Sequence, residues 1–343
     1  MSSPAQPSVA QISAAMELAA EQAGRVKGST YPNPPVGAVI LNADGDVVAV
    51  GATEPAGGAH AEVVALRAAG ERGRDATLVV TLEPCNHHGR TPPCVDALIE
   101  ANVAAVVYAV ADPDPVAAGG AERLRDAGVA VTGGVGAQDV AGDSLREWLH
   151  KQRTGLPHVT WKFAASIDGR SAAADGSSQW ITGEAARADV HRRRAAADAV
   201  VVGTGTVLAD NPSLTARLPN GVLAPRQPLR VVVGEREVPP DSAVLSDDSP
   251  TMTLRTRDPR EVIKALSGRT DVLLEGGPTL AGVFLRAGLV DRILAYIAPV
   301  LLGGPFGAVH DVGVSGIGDG LRWHFDGVQS IGPDLLLSLV APD

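Results

Sequence analysis

The stretch Thr81–Cys94, TLEPCNHHGRTPPC, decides how the rest of the chain is read. It holds both cysteines of a 343-residue protein, together with two adjacent histidines and three prolines. Three readings compete for it: a disulfide, a structural metal knuckle, or part of a catalytic metal site. The N-terminal MSSPAQPSV has neither the basic nor the apolar segment of an export signal and reads as a short tail. A reducing, cytoplasmic setting is therefore expected, and it weighs against a disulfide.

Just upstream, His60 and Glu62 form an H-x-E at the start of a helix. Imidazole and thiolate are the donors zinc prefers, and a structural zinc is closed by four protein ligands. The obvious set here is three: His60, Cys85 and Cys94. Three ligands leave a position for water, whose proton a bound zinc makes easy to remove near neutral pH. His87 or His88 as a fourth ligand would instead close the site. Glu62 is not needed as a ligand and is placed to shuttle a proton. An H-x-E followed by two Pro-Cys pairs is the pattern of zinc-dependent base deaminases. Those commonly space the cysteines as C-x-x-C, whereas eight residues intervene here.

Working outward, Ile12, Met16, Ala19 and Ala23 recur at helical spacing from Val9 onward. NPPVGAVIL, the turn NADGD and VVAVG read as a hairpin, and ATLVVTLE as a buried strand. Helix and strand then alternate, and AGDSLREWLHKQRT reads as one closing helix. RTGLPH breaks the pattern, which divides the chain into residues 1–152 and 153–343. The second half is again α/β. VTWKFAASIDG, DAVVV, PLRVVVG, TDVLLE, DRILAYIAP and DLLLSLVAP read as strands, and GTGTVLADNPSL as a Gly-rich turn. An α/β fold in two layered domains is the expectation.

A 45% hydrophobic, 20% charged composition suits a protein with a real core. The formal net charge of -10 argues against nucleic acid or an anionic membrane as partner. No run of 18 apolar residues predicts a membrane span. Small anions remain open, because a few local arginines hold one phosphate. In LLEGGPTLAG, Glu275 ends a strand, and Gly276-Gly277 precede a helix whose N-terminus attracts phosphate. That is also an ordinary strand-to-helix turn, and it is not the G-x-G-x-x-G fingerprint. In the HRRR run, Arg187, His191 and Arg194 share one helical stripe, while Arg192 and Arg193 point elsewhere.

YPNPPVGAVI, HAEVVAL, VTLEPCNHHGRTPPC and DPDP resemble the N-terminal half of the bifunctional riboflavin-biosynthesis deaminase/reductase family. KFAASIDGR, SQWIT, GTGTVLADNPSLTAR, EGGPTLAG and APVLLGG resemble its second half. In that family the long cysteine loop is normal, and serine commonly stands where this chain has Asn86. The resemblance implies a cytidine-deaminase-like domain followed by a dihydrofolate-reductase-like domain. It implies zinc on His60, Cys85 and Cys94, Glu62 as proton shuttle, and Asn33 facing the substrate ring. It further implies NADPH beside Ala164, Trp180, Thr206, Asp210 and the run Gly277, Pro278, Thr279, Leu280, Ala281, Gly282 and Val283. The second substrate would lie against Ser178, Arg194, Leu214, Arg217 and Glu275, with Lys162 and Asp210 as candidate proton donors. Arg194 and Arg217 suit a ribose phosphate. In the first pocket His87, His88 or Arg90 is expected at the phosphate.

The activity so implied is hydrolytic deamination of 2,5-diamino-6-ribosylamino-4(3H)-pyrimidinone 5′-phosphate. NADPH reduction of the ribosyl group of 5-amino-6-(5-phosphoribosylamino)uracil follows. A homo-oligomer, dimer or tetramer, is implied as well. One departure concerns the cofactor. After PLRVVV the family commonly has Asp then Ser or Thr, where this chain has Gly234-Glu235. An acid at the adenosine end would disfavour a 2′-phosphate.

Overall fold

The computed structural model describes residues 6–342, so the expected N-terminal tail lies mostly outside the described residues. The chain forms two compact units, Met1–Gly155 and Leu156–Asp343.

In the first unit α1 (Val9–Val26) starts from a capping box. The Ser8 hydroxyl accepts the Gln11 N–H, and the Gln11 side chain accepts the Ser8 N–H at 2.9 Å. Then come β1 (Gly37–Leu41), β2 (Val47–Ala52), α2 (Ala61–Ala69), β3 (Thr77–Leu82), α3 (Cys94–Glu100) and β4 (Ala105–Val110). They are followed by α4 (Gly120–Asp126), β5 (Ala130–Gly133), α5 (Ala137–Gly142) and α6 (Arg146–Thr154). The sheet order is β2-β1-β3-β4-β5. β1 pairs antiparallel with β2 and β3, while β3, β4 and β5 run parallel. Every residue of β1 and β3 is buried, which is why both read as unbroken apolar runs. Leu98, Leu124 and Leu145 are fully enclosed in the same core. Cutting one of them to alanine costs about 2–5 kcal/mol.

The position of α2 depends on Gly51. A Cβ there would lie 2.3 Å from the Ala61 carbonyl oxygen, so only glycine lets α2 lie this close on β2. The start of α2 carries His60 and Glu62. One expectation is corrected. The closing helix is not continuous, because the backbone turns at Asp143 (φ -132, ψ -86) between α5 and α6. The Lys27 ammonium donates to the Asp143 carbonyl at 2.9 Å and satisfies a group that the break releases.

The second unit contains β6 (His158–Ser166), α7 (Glu184–Ala196), β7 (Ala199–Gly203), α8 (Thr204–Asp210), β8 (Leu229–Val233) and β9 (Thr251–Leu254). After these come α9 (Pro259–Ala265), β10 (Asp271–Leu274), α10 (Pro278–Arg286), β11 (Arg292–Ala298), β12 (His324–Ile331) and β13 (Asp334–Val340). The sheet order is β12-β13-β11-β6-β10-β7-β8-β9. From β11 to β9 all neighbours are parallel, and β13 and β12 add an antiparallel edge. The carboxyl ends of β6, β10, β7, β8 and β9 therefore share one sheet edge, where ligands bind in open α/β sheets.

Two strands and a helix of this unit differ from the sequence reading. The Gly-rich segment after β7 forms α8 rather than a turn. β9 has four residues, none of them buried, and β12 is exposed along almost its whole length, with a register shift between Phe325 and Gly327. Neither strand buries a face, so neither produces a period-two apolar signal. In β8, the fully buried Arg230 side chain donates to the carbonyls of Ser213, Ser246 and Ser249. It ties the loop before β9 to the sheet.

Candidate functional site

His60 precedes α2 as its N-cap residue, Cys85 follows β3, and Cys94 opens α3. Their ligating atoms all lie within 4.8 Å of one another. The His60 Nδ1 is 3.3 Å from Cys94 Sγ and 3.6 Å from Cys85 Sγ. Zn–S bonds of ~2.3 Å and Zn–N bonds of ~2.0 Å at tetrahedral angles require an S···N edge of about 3.5 Å. The two S···N spacings thus already match edges of a zinc tetrahedron. The cysteines form no disulfide. The side-chain contact between Cys85 and Cys94 lowers the Cys85 thiol, while that contact and burial raise Cys94. A thiol so raised ionises beside a cation. The Cys94 N–H also points at Cys85 Sγ, at 3.4 Å.

Glu62 is 4% exposed. Burial pushes its carboxyl up to about 7, and the nearby Cys85 adds to the rise. A group that titrates near neutrality can both take and give a proton.

His60, Glu62 and Cys85 open onto a cavity of about 340 Å³, a size suited to a small ligand. Asn33 lines it, as do His87 and Arg90 from the cysteine loop. His88, the third phosphate candidate, is not among the lining residues. Sequence reasoning missed Glu83, Asp112, Asp114, Trp148 and Gln152, which also line the cavity. Asp112 and Asp114 belong to the DPDP segment, whose sequence carries a resemblance but no signal of a role for its carboxylates. Glu83 accepts the N–H groups of Asp112 (3.2 Å) and Ala121 (2.9 Å) and so fixes the loop after β4. Burial raises the Asp112 carboxyl to about 6. Asn86, the serine position of the family, accepts from Arg123 at 3.0 Å.

In the second unit the sheet edge gathers Lys162, Arg194 and Glu275. Arg194 holds Glu275 with two bonds, Nε at 2.6 Å and Nη2 at 2.9 Å, and gives Nη1 to the Thr215 carbonyl at 3.2 Å. Lys162 Nζ lies 3.8 Å from Glu275 and 5.8 Å from the centre of the Tyr296 ring. Burial alone would raise the Glu275 carboxyl, but Arg194 and Lys162 outweigh it and hold it down at about 2. Burial lowers the Lys162 ammonium. Arg192 and Arg193 turn away to Asp189, both at 2.8 Å, as the helical stripe requires.

The remaining expected residues divide. Ser178 donates to Asp210 at 3.3 Å, and Trp180 stands exposed with the Arg187 guanidinium 4.9 Å from its ring centre. Ala164 lies in β6. A Cβ on Gly277 would meet Thr206 Oγ1 at 3.1 Å, and one on Gly276 would meet Leu280 at 2.7 Å. The backbone is bare where β10 enters α10, and Gly277 caps that helix with no side-chain bond. Pro278 and Thr279 begin α10. Ala281 is fully buried, and Gly282 packs on the carbonyls of His310 and Asp311, so these two face away from the bare turn. Leu214 is a core residue, 3% exposed, and Arg217 gives one N–H to the Gly221 carbonyl at 2.8 Å.

Comparison with known proteins agrees with both halves. The family model described as "Cytidine and deoxycytidylate deaminase zinc-binding region" matches residues 9–110, and "RibD C-terminal domain" matches residues 157–337. A Mycobacterium tuberculosis (H37Rv) riboflavin biosynthesis protein RibD is 68% identical over 333 residues, covering 97% of this chain and 98% of its own length. That of Escherichia coli K12 is 41% identical over 361 residues, covering 95% and 98%. The solved structure of Acinetobacter baumannii RibD, form 1, superposes with a TM-score of 0.86 at 38% identity, covering 98% of this chain and all of its own. A Thermotoga maritima deaminase/reductase gives 0.88 at 31% identity, covering 97% and 99%.

Proposed function

We propose, for a chain that belongs to the RibD family of bifunctional deaminase/reductases of riboflavin biosynthesis, that His60, Cys85 and Cys94 hold one zinc ion and that Glu62 carries the proton of the deamination. The observation that carries this is the S···N spacing of the three ligands beside a buried carboxyl poised near neutrality. Zinc, when bound, supplies the Lewis acidity that makes a water nucleophilic. Glu62 would take a proton from the attacking water and give it to the ring nitrogen of the diaminopyrimidinone as the water oxygen bonds to the amine-bearing carbon. It would then carry the remaining hydroxyl proton to the exocyclic amine, so that the C–N bond breaks, ammonia leaves and a carbonyl stands in its place. Asn33 faces the ring. Arg90 and His87, which line the same cavity, supply the charge and hydrogen bonds for the ribose 5′-phosphate.

In the second unit NADPH, when bound, supplies a hydride to C1′ of the ribosylamino group. The bare Gly276-Gly277 turn and the uncapped start of α10 fit its pyrophosphate. Glu275, fixed by Arg194, accepts N–H groups of the pyrimidine. Since Arg194 spends Nε and Nη2 on Glu275, Arg217 is the better placed of the two to hold the substrate phosphate. Lys162, whose proton burial makes easier to release, donates to the ring oxygen as the sugar opens. Ser178, Leu214, Ala164, Trp180, Thr206 and Asp210 border this site.

We place the protein in the cytoplasm, consistent with its free cysteines. No helix among the described residues is long and apolar enough to cross a membrane. The exposed Phe325, Val328 and Leu335 of the β12–β13 hairpin support a homo-oligomer. X-ray absorption at the zinc edge tests the metal site. Two sulfurs, one imidazole and one further light ligand are expected. A second imidazole would mean that His87 or His88 closes the site and that it is structural.

A further inference from the structure

We infer that Arg236, Arg255 and Arg257 form the subsite that recognises the 2′-phosphate of NADPH and so set its preference over NADH. This rests on the reductase reading of the second unit and assigns what selects its cofactor.

The sequence alone made Glu235 an obstacle, because an acid at a strand end is the group that accepts a ribose 2′-hydroxyl and selects the unphosphorylated cofactor. The structure changes its meaning. The Glu235 carboxylate is occupied by Arg257, with Oε2 and Nη2 2.6 Å apart. Its main-chain carbonyl accepts an N–H from Arg255 at 3.1 Å. One residue therefore draws two guanidinium groups from the segment after β9 onto the end of β8. The strand ends are adjacent, since the Gly234 N–H donates to the Leu254 carbonyl at 3.0 Å.

Arg236 points the other way, toward the neighbouring strand end. A Cβ on Gly205 would lie 2.9 Å from its Nη2, so the guanidinium rests against the bare backbone after β7. Arg236 has no carboxylate partner among the described residues. Thr206 is next in sequence, and its Oγ1 would touch a Cβ on Gly277. A continuous track thus runs along one sheet edge: the Gly276-Gly277 turn, Thr206 and Gly205, Arg236, then Glu235 with Arg255 and Arg257. From β10 to β8 it spans two strand spacings, about 10 Å. A pyrophosphate on the glycines puts the adenosine ribose near the end of β8.

The charge balance there favours a phosphate. Arg255 and Arg257 gather at Glu235, Arg236 stands beside them on the β7 side, and a phosphomonoester brings about two negative charges near neutral pH. Guanidinium forks bind such a group bidentately, whereas a hydroxyl offers them nothing comparable. Arg257 exchanges Glu235 for the phosphate on binding, so Glu235 acts as a displaceable stand-in that holds the arginine in place. The pair is largely exposed, with side chains 80% and 57% accessible, so the preference weakens with salt.

The test is calorimetric binding of 2′,5′-ADP and of 5′-ADP to the full chain at low salt, with no turnover involved. The wild type is expected to bind 2′,5′-ADP about tenfold more tightly or better. Arg236→Ala, Arg255→Ala and Arg257→Ala should each erode that ratio and leave 5′-ADP binding unchanged, which also shows that the variants are folded. Glu235→Gln should strengthen 2′,5′-ADP by freeing Arg257. Equal affinity for the two nucleotides, or a preference that survives removal of all three arginines, overturns the proposal. Weakened 5′-ADP binding in Glu235→Gln also overturns it, because Glu235 would then be a ribose ligand. If neither nucleotide binds while NADPH does, the adenosine lies elsewhere and the subsite is wrong, though the reductase stands. If NADPH itself fails to bind, the underlying reading fails with it.

Discussion

Removing Arg194 should leave Glu275 as a buried, poorly compensated charge, and the size of the loss follows from the structure. The Glu275 side chain is 7% exposed and that of Arg194 15%. Burial opposes the carboxylate, yet Arg194 and Lys162 bring its pKa from the ordinary 4.5 to about 2. At 1.36 kcal/mol per unit this is ~3 kcal/mol of stability at neutral pH, in line with the 3–5 kcal/mol that breaking a buried pair costs. Arg194→Met should therefore lower the unfolding free energy of the second unit by about 3 kcal/mol. Urea denaturation followed by tryptophan fluorescence measures this, since Trp161, Trp180 and Trp323 all lie in that unit. The sign with pH is fixed. A carboxyl with a depressed folded pKa contributes fully above about 4.5, and the contribution fades as pH falls through about 2. In Arg194→Met burial is opposed only by Lys162 and the weaker His191, so Glu275 protonates at a higher pH and the gap to wild type narrows in acid. Arg194→Met with Glu275→Leu should recover most of the loss, because no lone charge remains. A loss below ~1 kcal/mol, the scale of an exposed pair, with no recovery in the double variant would refute the reasoning.

Other outcomes follow from the first unit. Glu62→Gln should cut deamination by about 10²-fold or more while zinc content stays at one per chain, as measured by metal analysis. Cys94→Ser should lose zinc and deamination together yet leave NADPH-dependent reduction of supplied deaminated intermediate intact. Gly51→Val should displace α2 from β2, because its Cβ would sit 2.3 Å from the Ala61 carbonyl oxygen, and should speed zinc release to a chelator. Arg230→Met should leave the carbonyls of Ser246 and Ser249 unpaired and raise amide exchange in the loop between β8 and β9.

The sequence was most legible where one periodicity ruled. β1, β3, β7 and β8 are buried on both faces and read as apolar runs, while α1 and α7 show a stripe. It was least legible where a strand buries nothing, as in β12, or where a helix breaks at a residue whose carbonyl is held by a distant side chain, as Lys27 holds that of Asp143. The metal ligands were readable because cysteine is rare in this chain and Pro-Cys pairs mark the loop. Glu83 and Asp112 were not, since a carboxylate becomes informative only when its burial and its backbone partners are known. Glu235 shows the same limit: its charge was plain in the sequence, but the Arg257 partner that reverses its meaning lies 22 positions away and becomes adjacent only through the pairing of β8 and β9.

The claim on which the rest depends is that one chain runs two chemistries in order, from separate side-chain sets. It is tested by giving the zinc-loaded protein the diaminopyrimidinone ribosyl phosphate and following ammonia and NADPH absorbance together. Ammonia should appear without NADPH, and NADPH should be consumed only after deamination. In Glu62→Ala ammonia release should vanish, while NADPH is still consumed when the deaminated intermediate is supplied. NADPH loss that precedes ammonia, or that disappears in Glu62→Ala even with that intermediate present, would contradict the account.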